Sequence, residues 1–204
     1  MKPVPLHTYR ILCGAIVIAL ALCLVANRFF SAFDNSVLHV IHGCKCAALD
    51  YCCAAIIEPK TFIPLYNLVL IVLYLNFPPK FTEVVLGFVP ALFVAWCLSE
   101  CGAQFATGNA GYLSAGSLVD SRFSYHYVAM VSAMVTYLCI LFYGRNKWLK
   151  VLCIVGGSTI LFSCIYMGTL LSFSALTASL VGILTSVVVS PIYIRQVLLR
   201  EPAA

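Results

Sequence analysis

Residues 124–143 read SYHYVAMVSAMVTYLCILFY, a twenty-residue run without Asp, Glu, Lys or Arg. A helix of that length reaches across the roughly 30 Å hydrocarbon layer of a bilayer. Inside hydrocarbon it also satisfies its own backbone N–H and C=O groups, which no open strand can do. The run therefore predicts a transmembrane helix. Five further apolar runs flank it: Ile11–Ala26, Thr61–Phe77, Thr82–Leu98, Trp148–Leu171 and Ser174–Ile194. Charged residues within them stand near their edges, as Glu83 and Lys150 do.

The composition agrees with that reading. Hydrophobic residues make up 63% of the 204-residue chain, charged residues 9%, and the mean hydropathy is +1.03. A soluble domain covers its surface with about a quarter charged residues. The expectation is an all-α membrane protein, a six-transmembrane-helix bundle forming one membrane domain over residues 1–204. The first run follows Lys2 and Arg10 like a signal sequence, but its length and the hydrophobic domain behind it point to an uncleaved anchor.

Basic residues orient the bundle. With the N-terminus inside, the inner segments hold Lys2, Arg10, Lys80, Arg145, Lys147, Lys150, Arg195 and Arg200. The outer segments hold only Arg28, Lys45, Lys60 and Arg122. Both termini are then expected in the cytoplasm, with the chain in an inner or plasma membrane. The net charge of +5 reflects this bias. No basic patch with interleaved aromatics points to nucleic acid.

Two long outer loops are expected, at about 28–60 and 99–123. In the first, Phe29, Phe30, Phe33, Val37, Leu38, Val40 and Ile41 recur near helical spacing and suggest an interfacial helix. Asp34 and Ser36 are its candidate caps. A second short helix is expected over Ala47–Ile57, dipping toward the bilayer before Pro59. The Gly-, Ser- and Ala-rich second loop, Ser99–Phe123, reads as an irregular cover. His39, His42, Cys44 and Cys46 form a metal-like cluster followed by Cys52 and Cys53. The C-x-C spacing matches no standard finger, so no metal is assigned; disulfides among these four cysteines stay open.

Phe123-Ser124-Tyr125-His126 opens the fourth run, and Ser163-Cys164-Ile165-Tyr166-Met167-Gly168 lies toward the end of the fifth. Their order and setting resemble the type 2 phosphatidic acid phosphatase family, which carries P-S-G-H and S-R-x-x-x-x-x-H-x-x-x-D at these places. The resemblance implies a six-span bundle acting on lipid phosphates, with no cofactor. It places His126 as general acid, and Ser124 and Ser163 as phosphate-binding groups. Arg122 is the nearby cation. Cys164 stands where the family has its Arg, Leu170 where it has the nucleophilic His, and Ser174 where it has Asp. The motif K-x-x-x-x-x-x-R-P after the third span is absent. Phosphoryl transfer needs a nucleophile in line and positive charge on the phosphate oxygens. The expectation is therefore a protein that binds membrane lipids, with an anionic headgroup as candidate ligand, or a protein partner in the membrane. Two other readings stay open: an active phosphatase using Ser124, His126, Arg122 and Cys164, and an assembly subunit or small transporter.

Overall fold

The computed structural model describes residues 6–29, 36, 39–41, 43, 46–107, 121–142, 146–170 and 172–199. Among them, seven α-helices follow in order: α1 Leu6–Phe29, α2 Ala47–Ile57, α3 Phe62–Asn76, α4 Phe81–Thr107, α5 Ser121–Leu141, α6 Lys147–Tyr166 and α7 Ser172–Leu199. Short 3-10 turns at Pro59–Thr61 and Pro78–Lys80 precede α3 and α4. No strand occurs among the described residues.

Four helices, α4 to α7, are long and apolar enough to cross a bilayer. The chain is thus a polytopic integral membrane protein. A fifth crossing is reached if α2 and α3, bent by 68° at their junction, count as one broken span. The count differs from the six expected. The apolar part of α1, Ile11–Ala26, and the 15-residue α3 are each shorter than a full span. At 1.5 Å per residue, such lengths give only about 22–24 Å against roughly 30 Å of hydrocarbon.

Stripes of small side chains bring the helices together. On α7, Ser174, Ala178, Gly182, Ser186 and Ser190 recur every fourth residue and are all buried. On α4, Gly87, Ala91, Ala95, Ser99 and Ala103 do the same. Residues four apart share one helix face. In lipid there is no hydrophobic drive between helices, so close backbone approach and interhelical hydrogen bonds supply the attraction. The closest crossing sits at Gly182, where an added Cβ would overlap the Ala129 carbonyl oxygen and stand 2.8 Å from the Ala133 nitrogen. One turn on, Ser186 Oγ donates to the Ala133 carbonyl at 2.6 Å. Helix α7 thereby becomes the central post, packed on α5, α4 and α1. Tyr137 Oη ties α5 to α4 by donating to the Val84 carbonyl at 2.9 Å.

Helix α6 starts at Asn146, whose side chain accepts from the Leu149 N–H at 3.1 Å. It packs against α5 and α2, with Trp148, Leu152, Val155 and Phe162 exposed. Such side chains would be costly in water but suit hydrocarbon. It stops after Tyr166 because Gly168 takes a left-handed conformation (φ 69°). That turn sends Thr169 and Leu170 back, and their N–H groups both reach the Cys164 carbonyl, at 3.1 and 3.4 Å.

The outer loops are more helical than expected in part. Helix α4 runs on to Thr107, so Ser99–Thr107 is regular rather than irregular cover. The Ala91-Ala95-Ser99-Ala103 stripe keeps packing beyond the apolar run, which is the physical reason. Residues 108–120 lie outside the described ones. The short helix expected at Ala47–Ile57 is present with those bounds. Most of the stretch expected to form an interfacial helix, including Phe30, Phe33, Asp34, Val37 and Leu38, lies outside the described residues.

Candidate functional site

The start of α5, the end of α6, the start of α7, the later part of α4 and the short α2 meet at one end of the bundle. Their apolar floor joins Ile57, Ala103, Tyr125, Tyr127, Val128, Cys164, Leu170 and Ala175. The two sequence motifs therefore come to the same end, carried by neighbouring helices.

His126 is the polar centre. It sits in the second turn of α5, and its side chain is 11% exposed. Nδ1 lies 2.6 Å from Ser99 Oγ, and Nε2 lies 2.9 Å from Glu100 Oε2. Ser99 Oγ also lies 2.7 Å from the Trp96 carbonyl. The Trp96 ring is 6.3 Å from the imidazole, centre to centre. These contacts restrict the protons. A carboxylate only accepts, so Nε2–H donates to Glu100 in either arrangement. The Ser99 hydroxyl lies within reach of both Nδ1 and the Trp96 carbonyl and can donate to either.

Ser124 is buried in the first turn of α5, and its Oγ has no hydrogen-bond partner among the described residues. Beside it, Tyr125 presses against Gly102, where an added Cβ would fall 2.6 Å from the phenol oxygen. Glycine at 102 is what lets this ring lie flat on α4. The phenol reaches Thr177 Oγ1 at 3.3 Å on α7. The side chain of Arg122 lies outside the described residues.

The α6 motif faces the floor rather than an open cavity. Ser163 Oγ donates to the Thr159 carbonyl of its own helix at 2.8 Å. Cys164 is completely buried, and Leu170 is nearly so. Thr169 Oγ1 adds a third donor to the Cys164 carbonyl at 3.0 Å. Ser174 is buried at the start of α7, where its carbonyl accepts from Thr177 Oγ1 at 2.8 Å.

The residue types decide what this end can do. The position that the resemblance gives to a nucleophile holds a packed Leu side chain. The position given to a phosphate clamp holds a thiol without access to solvent. His126 spends both nitrogens on protein partners, and the partner of Nε2 is an anion. To protonate a leaving group, it must first release Glu100.

Sequence reading reached His126, Ser124, Ser163, Cys164 and Leu170. It missed Ser99, Glu100 and Trp96, the partners of His126. The fourfold spacing of small residues from Gly87 to Ala103 was the available signal that α4 continues as a packed helix. It also missed Asp50, which accepts from Tyr166 Oη at 2.8 Å. Of the Cys/His cluster, His39 and Cys46 are described and exposed, whereas His42 and Cys44 lie outside the described residues. Cys46, Cys52 and Cys53 are free thiols.

Comparison with known proteins yields no match among family models, curated proteins or solved structures.

Proposed function

We propose that this chain is a non-hydrolytic relative of the membrane lipid-phosphate phosphatases, working by binding lipid or a protein partner. One observation carries the reading. The two places where that chemistry needs a nucleophile and a cation hold Leu170 and Cys164, both sealed in an apolar floor beside Tyr127. Losing even one electrostatic stabiliser of a transition state costs on the order of a hundredfold in rate. Losing the nucleophile removes the covalent route itself.

In this reading the six apolar runs form the six spans of that frame, with α1 and α3 each counted as a crossing and α2 lying in the outer loop. Both termini face the cytoplasm of an inner or plasma membrane, in keeping with the basic residues at 145, 147 and 150. The ligand candidates are an anionic lipid headgroup at Ser124 and Arg122, or a partner chain within the bilayer. The sealing of Cys164 weighs against an altered but active constellation, since a buried neutral thiol is a poor nucleophile.

The test is phosphate release from phosphatidic acid and from a polyprenyl diphosphate by the protein in liposomes. The expected release equals that of empty liposomes. Release above background that disappears in His126→Ala would overturn the reading.

A further inference from the structure

Helix α2 is attached to the bundle along one narrow stripe. Of its eleven residues only Cys53 and Ile57 are buried, with Asp50 and Ile56 half-buried beside them. These four positions fall on one helix face. The opposite side is open, as the exposed Ala48, Tyr51 and Ala55 show.

Two tyrosines of the bundle fasten that stripe. Tyr166, the last residue of α6, donates its hydroxyl to Asp50 Oδ1 at 2.8 Å and accepts from the Cys46 N–H at 3.3 Å. Tyr127 of α5 donates to the Ile56 carbonyl at 3.1 Å. Both ends of α2 are therefore pinned to the two helices that carry the sequence motifs. On the far side of the stripe lies the apolar floor, where Ile57 packs in the same cluster as Tyr127, Cys164 and Leu170.

The connection to α3 is of a different kind. The chain turns by 68° there. The turn is held by local bonds: Glu58 N–H to the Ala54 carbonyl at 3.1 Å, Thr61 N–H to the Glu58 carbonyl at 2.9 Å, and Thr61 Oγ1 to the Ala55 carbonyl at 2.6 Å. These bonds join α2 to the 3-10 turn at Pro59–Thr61 that leads into α3, and none of them reaches α5 or α6. Among the described residues, a rotation about this short junction lifts α2 from the bundle by breaking the tyrosine contacts and the packing of Cys53, Ile56 and Ile57.

We propose that α2 is a hinged lid over the seam between α5 and α6, latched by the Tyr166–Asp50 hydrogen bond. Closed, it shields Cys53 and Cys164. Open, it uncovers the floor from the side. Its use as an entry for ligand rests on the binding reading above, but the lid itself does not.

Native thiols report the lid without any ligand. The protein in detergent micelles is treated with a small water-soluble maleimide, and each cysteine is followed by mass spectrometry. In the parent protein, Cys52 reacts quickly, whereas Cys53 and Cys164 are protected. Tyr166→Phe removes the hydroxyl's bonds to Asp50 and from the Cys46 N–H and raises the rates at Cys53 and Cys164 by about threefold or more, the change in an opening equilibrium expected from at least one lost net hydrogen bond. Asp50→Leu does the same. Asp50→Asn, which keeps an acceptor oxygen, stays near the parent rate. Cys139 and Cys153, away from the lid, keep their rates in every variant. Unchanged protection of Cys53 and Cys164 in Tyr166→Phe overturns the proposal. So does an equal rise at Cys139 and Cys153, which would mean a loosened bundle rather than an opened lid.

Discussion

Replacing Gly182 by alanine adds one methyl group at the tightest point of the bundle. That methyl would overlap the Ala129 carbonyl oxygen and lie 3.0 Å from the Ala129 carbonyl carbon. Both are backbone atoms, which cannot swing aside as a side-chain tip can. The crossing of α5 and α7 must open by about 1 Å, enough to forfeit roughly a quarter to a half of the dispersion along the seam. Overpacking of this kind costs about 1–3 kcal/mol. The Ser186–Ala133 hydrogen bond, 2.6 Å in the parent, is stretched beyond bonding distance. Its loss adds about 0.6 kcal/mol by the average for interhelical bonds in membranes. Alanine gives back about 0.8–1.0 kcal/mol through its higher helix propensity. The net loss is about 1–3 kcal/mol. Gly156 is the internal control, since nothing lies within 4 Å of its added methyl. Gly156→Ala keeps the propensity gain alone and is neutral or stabilising by up to about 1 kcal/mol. Reversible unfolding in mixed micelles, titrated with a denaturing detergent and read by far-ultraviolet circular dichroism, compares the two. A Gly182→Ala protein as stable as Gly156→Ala would refute the close-crossing account of the fold.

Three further outcomes follow from the described contacts. Tyr137→Phe removes the phenol that donates to the Val84 carbonyl and lowers stability in the same assay by about 0.6 kcal/mol, at most about 1.7. Gly102→Leu drives a side chain into the Tyr125 ring and displaces α4 from α5; chymotrypsin susceptibility of the α4–α5 connection, which carries Tyr112 and Leu113, is expected to rise. Glu100→Gln keeps an oxygen that can accept from His126 Nε2–H, whereas Glu100→Leu leaves that nitrogen without its partner at 2.9 Å. The Leu variant is therefore expected to unfold at lower denaturant than the Gln variant, by the equivalent of about 1–3 kcal/mol for a lost bond to a charged group.

How much of this was legible before the fold was known depends on the kind of signal. Long uncharged runs state their solvent plainly, so α4 to α7 were readable from hydropathy alone. The α1 and α3 segments were read as complete spans from apolar character, which does not reveal where a helix bends or ends. Glycine at 168 marked a place where the chain could turn back, and Leu170 lies where that turn puts it. The small-residue stripes on α4 and α7 were present in the sequence as a repeat of four, but they are quiet beside 63% hydrophobic composition. They hold the information on which helix touches which. The partners of His126 were hidden for the same reason. Ser99 and Glu100 read as the start of a loop, and only the continuing helix turns both toward the imidazole. Asp50 lay on a short helix that was foreseen, but its pairing spans 116 positions of chain to Tyr166 and has no local signature.

The central claim is a membrane-embedded bundle with one end that gathers the starts and stops of its helices around His126. Sidedness tests it most directly. An impermeant maleimide added to intact cells or sealed vesicles is expected to label Cys52 and Cys101 from one and the same face, as both are exposed at that end. A cysteine placed at Asn146, at the other end of α6, is expected to react only from the opposite face. Labelling of Cys52 and Cys101 from different faces, or of Asn146→Cys from the same face as both, would contradict it.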